Sequence, residues 1–161
     1  MYLIKNRHSE NSMNAMKLIM CGITFAMTMT VTSAAFAEAP ILNPYGQFLE
    51  GDGVEVEMAY FAAKNKDGLY DALIKVRGRK AFNAGIDGKT YQYTAVHSGS
   101  GVSYQRNGKN ILNMSDLKNY SSNSTQVYLD GESISVSENK NNSKDVMPLH
   151  LLTASNEQSK N

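Results

Sequence analysis

Apolar and polar residues alternate from Val54 onward in this chain of 161 residues. Val54, Val56, Met58 and Tyr60 share one parity and Glu55 and Glu57 the other, the period-two signature of a strand with one buried face. Lys66-Asp67-Gly68 reads as a turn. Beyond it Ala72, Ile74 and Val76 alternate with Leu73, Lys75 and Arg77, which predicts a second strand. Gly78 marks a bulge or the end of that strand, and Ala81 to Ile86 is a weaker third candidate.

Asx-Gly pairs then punctuate the pattern. Asp87-Gly88 separates Ile86 from Lys89–Tyr93, and Asn107-Gly108 lies between Ser103–Arg106 and Lys109–Leu112. Asp130-Gly131 lies between Gln126–Leu129 and Glu132–Val136. Asn-Gly and Asp-Gly readily take positive φ at both central positions, as the type I′ hairpin turn requires. Three such pairs flanked by alternating residues predict an antiparallel meander. No proline occurs between Tyr45 and Met147, so nothing in that span forbids continuous ladder bonding.

Residues 38–53 carry Pro40 and Pro44 and read as an irregular lead-in, and 54–137 as the β core. A short helical turn fits Met114 to Tyr120, and Asn119 to Thr125 is a Ser/Asn loop. The polar segment 138–161 begins with a mobile stretch to Asp145. Val146–Leu152 then offers a last strand despite Pro148, followed by a disordered tail. About seven or eight short strands in one domain must stack as two sheets or close on themselves, and closure removes exposed edges. The fold class expected is all-β: a small antiparallel β-barrel joined by tight hairpins, preferred over a sandwich. No internal repeat is evident.

Residues 1–37 carry an export signal. Lys5, Arg7 and Lys17 supply a positive segment, Leu18 to Val31 a mostly apolar run, and Ala35-Phe36-Ala37 a small-residue cleavage site before Glu38. The apolar run falls short of the roughly 20 residues of a spanning helix. The expected location is therefore the periplasm or the exterior, with no membrane span. Cys21, the only cysteine, lies in the apolar run, and Met20 before it does not suit lipid attachment. The remaining chain has no thiol and must be held together by packing. Cleavage would remove Lys5, Arg7, Lys17 and Glu10, turning 16 basic and 15 acidic side chains into 13 and 14, a net charge of −1. That balance argues against nucleic acid or an anionic membrane as partner.

Residues with chemical potential are few. His97 and His150 are the only histidines after the signal, too few for a histidine-based zinc site, and no cofactor or metal is expected. His97 and Ser98 are adjacent on a strand and so face opposite ways, which does not make a nucleophile–base pair. The carboxylates fall in turns (Asp67, Asp87, Asp130) or on the polar parity (Glu55, Glu57), and Arg77, Arg79 and Lys80 form a solvated basic cluster. Nine tyrosines without tryptophan fit barrel walls with the hydroxyl outward. The class favoured is a binding module and not an enzyme.

The stretch from Gly88 to Tyr104 stands out. Alternating Thr, Tyr and Val give way to His97-Ser98-Gly99-Ser100-Gly101, and the strand pattern then returns with Val102 and Tyr104. Such a small-residue segment either accommodates a tight bend or presents small groups to something outside. Ser100-Gly101-Val102-Ser103-Tyr104 fits the S-G-x-x-Y pattern and resembles the bacterial lysozyme inhibitors, the periplasmic and membrane-bound group acting on c-type lysozymes and the related group acting on i-type lysozymes. The preceding Asp87, Gly88, Lys89 and Tyr91 and the following glycine turn with Lys109 match the context, and the resemblance spans roughly Ala72 to Ile111. It implies a barrel of about eight strands, with lysozyme as protein partner and a Ser98–Tyr104 binding loop, carried by Ser98, Gly99, Ser100, Gly101 and Tyr104, that enters the enzyme's cleft. Ser100 would bond a catalytic carboxylate and Tyr104 would brace the loop. The family's Lys-Gly pair is absent, and Lys109 and Lys118 are the nearest lysines for a second contact. Two other readings stay open: a cell-envelope assembly protein binding partners through a strand edge, with Thr125–Leu129 the nearest candidate, and a small-ligand carrier using the barrel interior.

Overall fold

A computed structural model describes residues 40–115 and 125–160. The expected signal segment 1–37, Lys118, and most of the expected helical turn and Ser/Asn loop at 114–125 lie outside the described residues. Eight strands follow one another: β1 (Leu42–Gly51), β2 (Val54–Lys64), β3 (Tyr70–Arg77), β4 (Thr90–Ser98), β5 (Gly101–Arg106), β6 (Lys109–Met114), β7 (Thr125–Leu129) and β8 (Glu132–Glu138). Each pairs antiparallel with its sequence neighbour, and β1 meets β8 through Leu49↔Glu138 and Glu50↔Ser137, closing the barrel. The all-β barrel expected from the alternation is therefore the fold.

Parity decides which side chains fill the barrel. Val54, Val56 and Met58 of β2 and Ala72, Ile74 and Val76 of β3 are buried in the interior cluster. Tyr93 and Ala95 of β4, Val102 and Tyr104 of β5, and Val127, Leu129, Ile134 and Val136 of β7 and β8 join them. On the outer face Lys75 lies opposite Glu57 and bonds it at 3.2 Å, with Arg77 at 3.6 Å.

The hairpins follow their turn chemistry. Asn107 (φ 52°) with Gly108 (φ 73°), and Asp130 (φ 50°) with Gly131 (φ 82°), bridge Arg106↔Lys109 and Leu129↔Glu132 as two-residue turns with positive φ throughout. Asp52 and Gly53 make a third such turn between β1 and β2.

Four expectations are corrected. Residues 38–53 are not an irregular lead-in, because Leu42–Gly51 is a ten-residue strand paired with β2. Pro44 is tolerated where the β1/β2 register shifts, between Leu42 and Gly46. The third strand candidate at Ala81–Ile86 is instead a short helix, α1 (Arg79–Asn83), with Ala81 plugged into the barrel interior. Asp87-Gly88 is accordingly not a hairpin turn. The Asp87 carboxylate accepts from the Gly78 amide at 2.8 Å, and the Gly88 amide bonds the Val76 carbonyl at 2.9 Å, tying off the α1 connection.

The last strand and disordered tail are likewise replaced by helices. A single turn, α2 (Lys140–Ser143), is capped by Asn139, whose side chain accepts from Asn141 and Asn142. Then α3 (Pro148–Gln158) begins with proline in its first turn, where the missing N–H has no helical acceptor to lose. It lies on the outside of the barrel, where Leu151 and Val146 pack with Ala59 and Leu73 in a second buried cluster. No helix among the described residues is long and apolar enough to cross a membrane.

Candidate functional site

An up-and-down barrel sends alternate turns to opposite ends. The β2–β3 turn and the β4–β5 turn share one end; the β1–β2, β5–β6 and β7–β8 turns and α1 occupy the other.

The Ser98–Gly101 segment is a two-residue hairpin. Ser98 pairs with Gly101, and Gly99 (φ 58°) and Ser100 form the bend. A glycine with positive φ at the first central position and a normal residue at the second is the type II′ arrangement. The loop is thus shorter than the Ser98–Tyr104 stretch expected, since Gly101–Tyr104 already belongs to β5. Gly99 and Ser100 are exposed and Ser98 is partly so. The Ser100 hydroxyl donates to the Ser115 carbonyl at 3.1 Å. Gly101 is buried and passes directly under the end of β6, where any Cβ would overlap the Met114 carbonyl.

Tyr104 lies inside the barrel at 4% exposure, on the same parity as Val102. Its ring is 6.4 Å from that of Tyr60 and tilted by 54°. Tyr60 donates to Gln47 Oε1 at 2.8 Å, a buried amide. This packed group fills the interior beneath the hairpin.

His97 is exposed, with Nε2 at 3.2 Å from the Asp67 carbonyl, and so is a hydrogen-bonded surface histidine. It links the hairpin to the β2–β3 turn. That turn is organised by Asn65, whose carbonyl oxygen accepts from Asp67 and Leu69 and whose amide donates to Asp71 at 2.7 Å and to the Ala95 carbonyl at 2.8 Å. The Asp71 carboxylate also accepts from the Ala95 amide at 3.0 Å. None of these anchors was singled out in the sequence. Asn65 before Lys66-Asp67-Gly68 was the available signal, an Asx residue able to bond its own backbone two residues on.

The structure does not bring Lys109 to the hairpin. Lys109 pairs with Arg106 at the far end of β5, five residues or roughly 17 Å from Gly101 at strand spacing. It is corrected as a second contact on the same surface as Ser100. Thr125–Val127 is corrected as an open edge, since it pairs with β6 on one side and β8 on the other, whereas Tyr128 and Leu129 pair with β8 alone.

The opposite end holds a group that sequence reasoning passed over. Arg106 shares the inward parity of Val102 and Tyr104 and lays its guanidinium over the Tyr91 ring, 3.8 Å from the centroid. Beside it is Tyr93, whose phenol is pushed up to about 12 by burial, with the positive charge of Arg106 acting the other way and Tyr91 adding to the rise. Both line a cavity of about 260 Å³. Among the described residues no cluster of His, Cys, Asp and Glu is arranged to hold a metal. No protein-family model, curated protein or solved structure matches this chain.

Proposed function

We propose that the protein is an exported lysozyme inhibitor that presents the Gly99-Ser100 bend to the enzyme's active-site cleft. The observation that carries this reading is an exposed serine hydroxyl at the tip of a two-residue hairpin, within Ser100-Gly101-Val102-Ser103-Tyr104. A bend of Gly and Ser is narrow enough to enter a groove, and two-sided strand pairing below it limits the ordering cost of binding. A glycosidase cleft carries paired carboxylates, and a hydroxyl donor satisfies one of them without burying an unpaired charge. Tyr104, packed on Tyr60 inside the barrel, fixes the wall from which the bend projects.

The test is turnover of c-type and i-type lysozymes with excess purified protein. Inhibition of either that is lost in Ser100→Ala supports the proposal. Unchanged turnover of both enzymes ends it.

A further inference from the structure

We infer that the cavity at the α1 end of the barrel binds a small free organic acid, a carboxylate carried on a compact apolar body. The site arises from a flaw in the wall. In β5/β6 pairing Leu112 lies opposite Tyr104 and Asn110 opposite Gln105, so Ile111 is an extra, bulged residue. The β6/β7 ladder stops at Leu112↔Val127, leaving Lys109–Ile111 without partners on β7. The cavity lies at this gap, between Ile111 on one side and Tyr128 and Leu129 on the other.

Its floor and walls are apolar, from Ala84, Ile86, Ile111 and Leu129. The polar groups converge from β4, β5 and β6. Arg106 forms none of the ion pairs among the described residues, and its guanidinium carbon lies 3.8 Å from the centroid of the Tyr91 ring. The Tyr93 hydroxyl makes no hydrogen bond among the described residues, and it is not one of the sealed polar atoms, which are Thr90 Oγ1 and Thr125 Oγ1. Tyr93 lines the cavity, and a neutral phenol can donate a hydrogen bond to an anion there. Lys109 adds a second positive charge at the rim, against the single Asp130 carboxylate. A guanidinium and a hydroxyl facing an apolar floor suit an acid group with an attached ring or short chain. The volume, about 260 Å³, lies just below the range of roughly 300–1,000 Å³ usual for small-molecule sites and limits the body to about one ring.

This site lies on the other end of the barrel from Ser100 and stands or falls independently of the inhibitor proposal. Titration of the ¹⁵N-labelled protein with benzoate and hexanoate, followed by NMR, tests it, with uncharged benzamide as control. Saturable shifts at the Tyr93, Asn110 and Tyr128 amides are expected, with benzamide about tenfold weaker. Arg106→Gln, at an exposed position, should lower acid affinity about tenfold, and Tyr93→Phe by about two- to fivefold. Absence of saturable shifts with both acids, equal binding of benzamide, or unchanged affinity in Arg106→Gln overturns the inference.

Discussion

Ser100 Oγ donates to the carbonyl oxygen of Ser115 at 3.1 Å, so the hydroxyl at the hairpin tip is already engaged before any partner arrives. Donation to a carboxylate would exchange a neutral acceptor for a charged one, and charge-assisted bonds are roughly twice as strong. Ser100→Ala should therefore weaken lysozyme inhibition by about tenfold or more, the equivalent of roughly 1.5–3 kcal/mol for a bond to a charged group. Stability should change by less than about 0.5 kcal/mol, because the side chain is exposed. Inhibition titrations and urea melts of the same samples check both halves. A large loss of stability would mark the bond to Ser115 as a structural tie instead.

Gly101 is demanded for a different reason than Gly99. Gly99 has φ 58° with open space where a Cβ would stand, whereas Gly101 has ordinary φ but no room beside Met114 and Ser115. Gly99→Ala should cost about 1 kcal/mol through backbone strain. Gly101→Ala forces β5 and β6 apart and should cost about 3 kcal/mol, the upper end for overpacking. Denaturant midpoints rank the two; the reverse order would mean that the turn and not the strand crossing governs this end.

The outer helix should be indispensable. Leu151, 2% exposed, packs with Val146, Ala59 and Leu73, and Val146 fills the space beside Gly46 that a side chain there would need. Gln158 Oε1 accepts from the Thr90 amide at 3.1 Å, fastening the far end of α3 to β4. Leu151→Ala should cost about 2–4 kcal/mol by lost burial and cavity formation. Truncation after Asp145 should expose Ala59 and Leu73 and raise binding of a hydrophobic dye, which intact protein resists.

The barrel itself was legible because its interior obeys strict parity: Val54, Val56 and Met58 on β2 and Ala72, Ile74 and Val76 on β3 are buried as their spacing requires. β1 was obscured by Pro44, although Asp52-Gly53 before Val54 carried the same hairpin signal as Asn107-Gly108. Asp87-Gly88 misled for a chemical reason, since the dipeptide that makes a type I′ turn also closes a loop when its carboxylate caps a distant amide such as that of Gly78. In Val146–Leu152, Pro148 was read as an obstacle to a strand when it marks the first turn of a helix. The hairpin bearing Ser100 was visible from composition, but its bond to Ser115 joins residues 15 apart and depends on how β6 ends. Arg106 was the accessible clue to the cavity at the α1 end: it continues the parity of Val102 and Tyr104 to the mouth of the barrel, where it is exposed and lines that cavity.

Arg106 also bears on alkaline stability through Tyr93. Burial raises the Tyr93 phenol from 10.0 to about 12 in the folded protein, with the nearby Arg106 charge opposing the shift. Between those values the unfolded chain has released the proton while the folded chain still holds it. The folded state then binds more protons, so stability falls as pH rises. The contribution is fully present below pH 10 and is lost as pH climbs toward 12. A shift of this size corresponds to roughly 3 kcal/mol. Tyr93→Phe removes the titrating group and keeps the ring, so its unfolding free energy should decline less steeply than wild type from pH 10 to 12. Replacing Arg106 with Gln removes the opposing charge and should raise the Tyr93 pKa further, steepening the decline. Urea unfolding at stepped pH, with Tyr93 ionisation followed by absorbance, measures both slopes. Parallel curves for wild type and Tyr93→Phe would show that the phenol reaches water and is not held in the cavity wall.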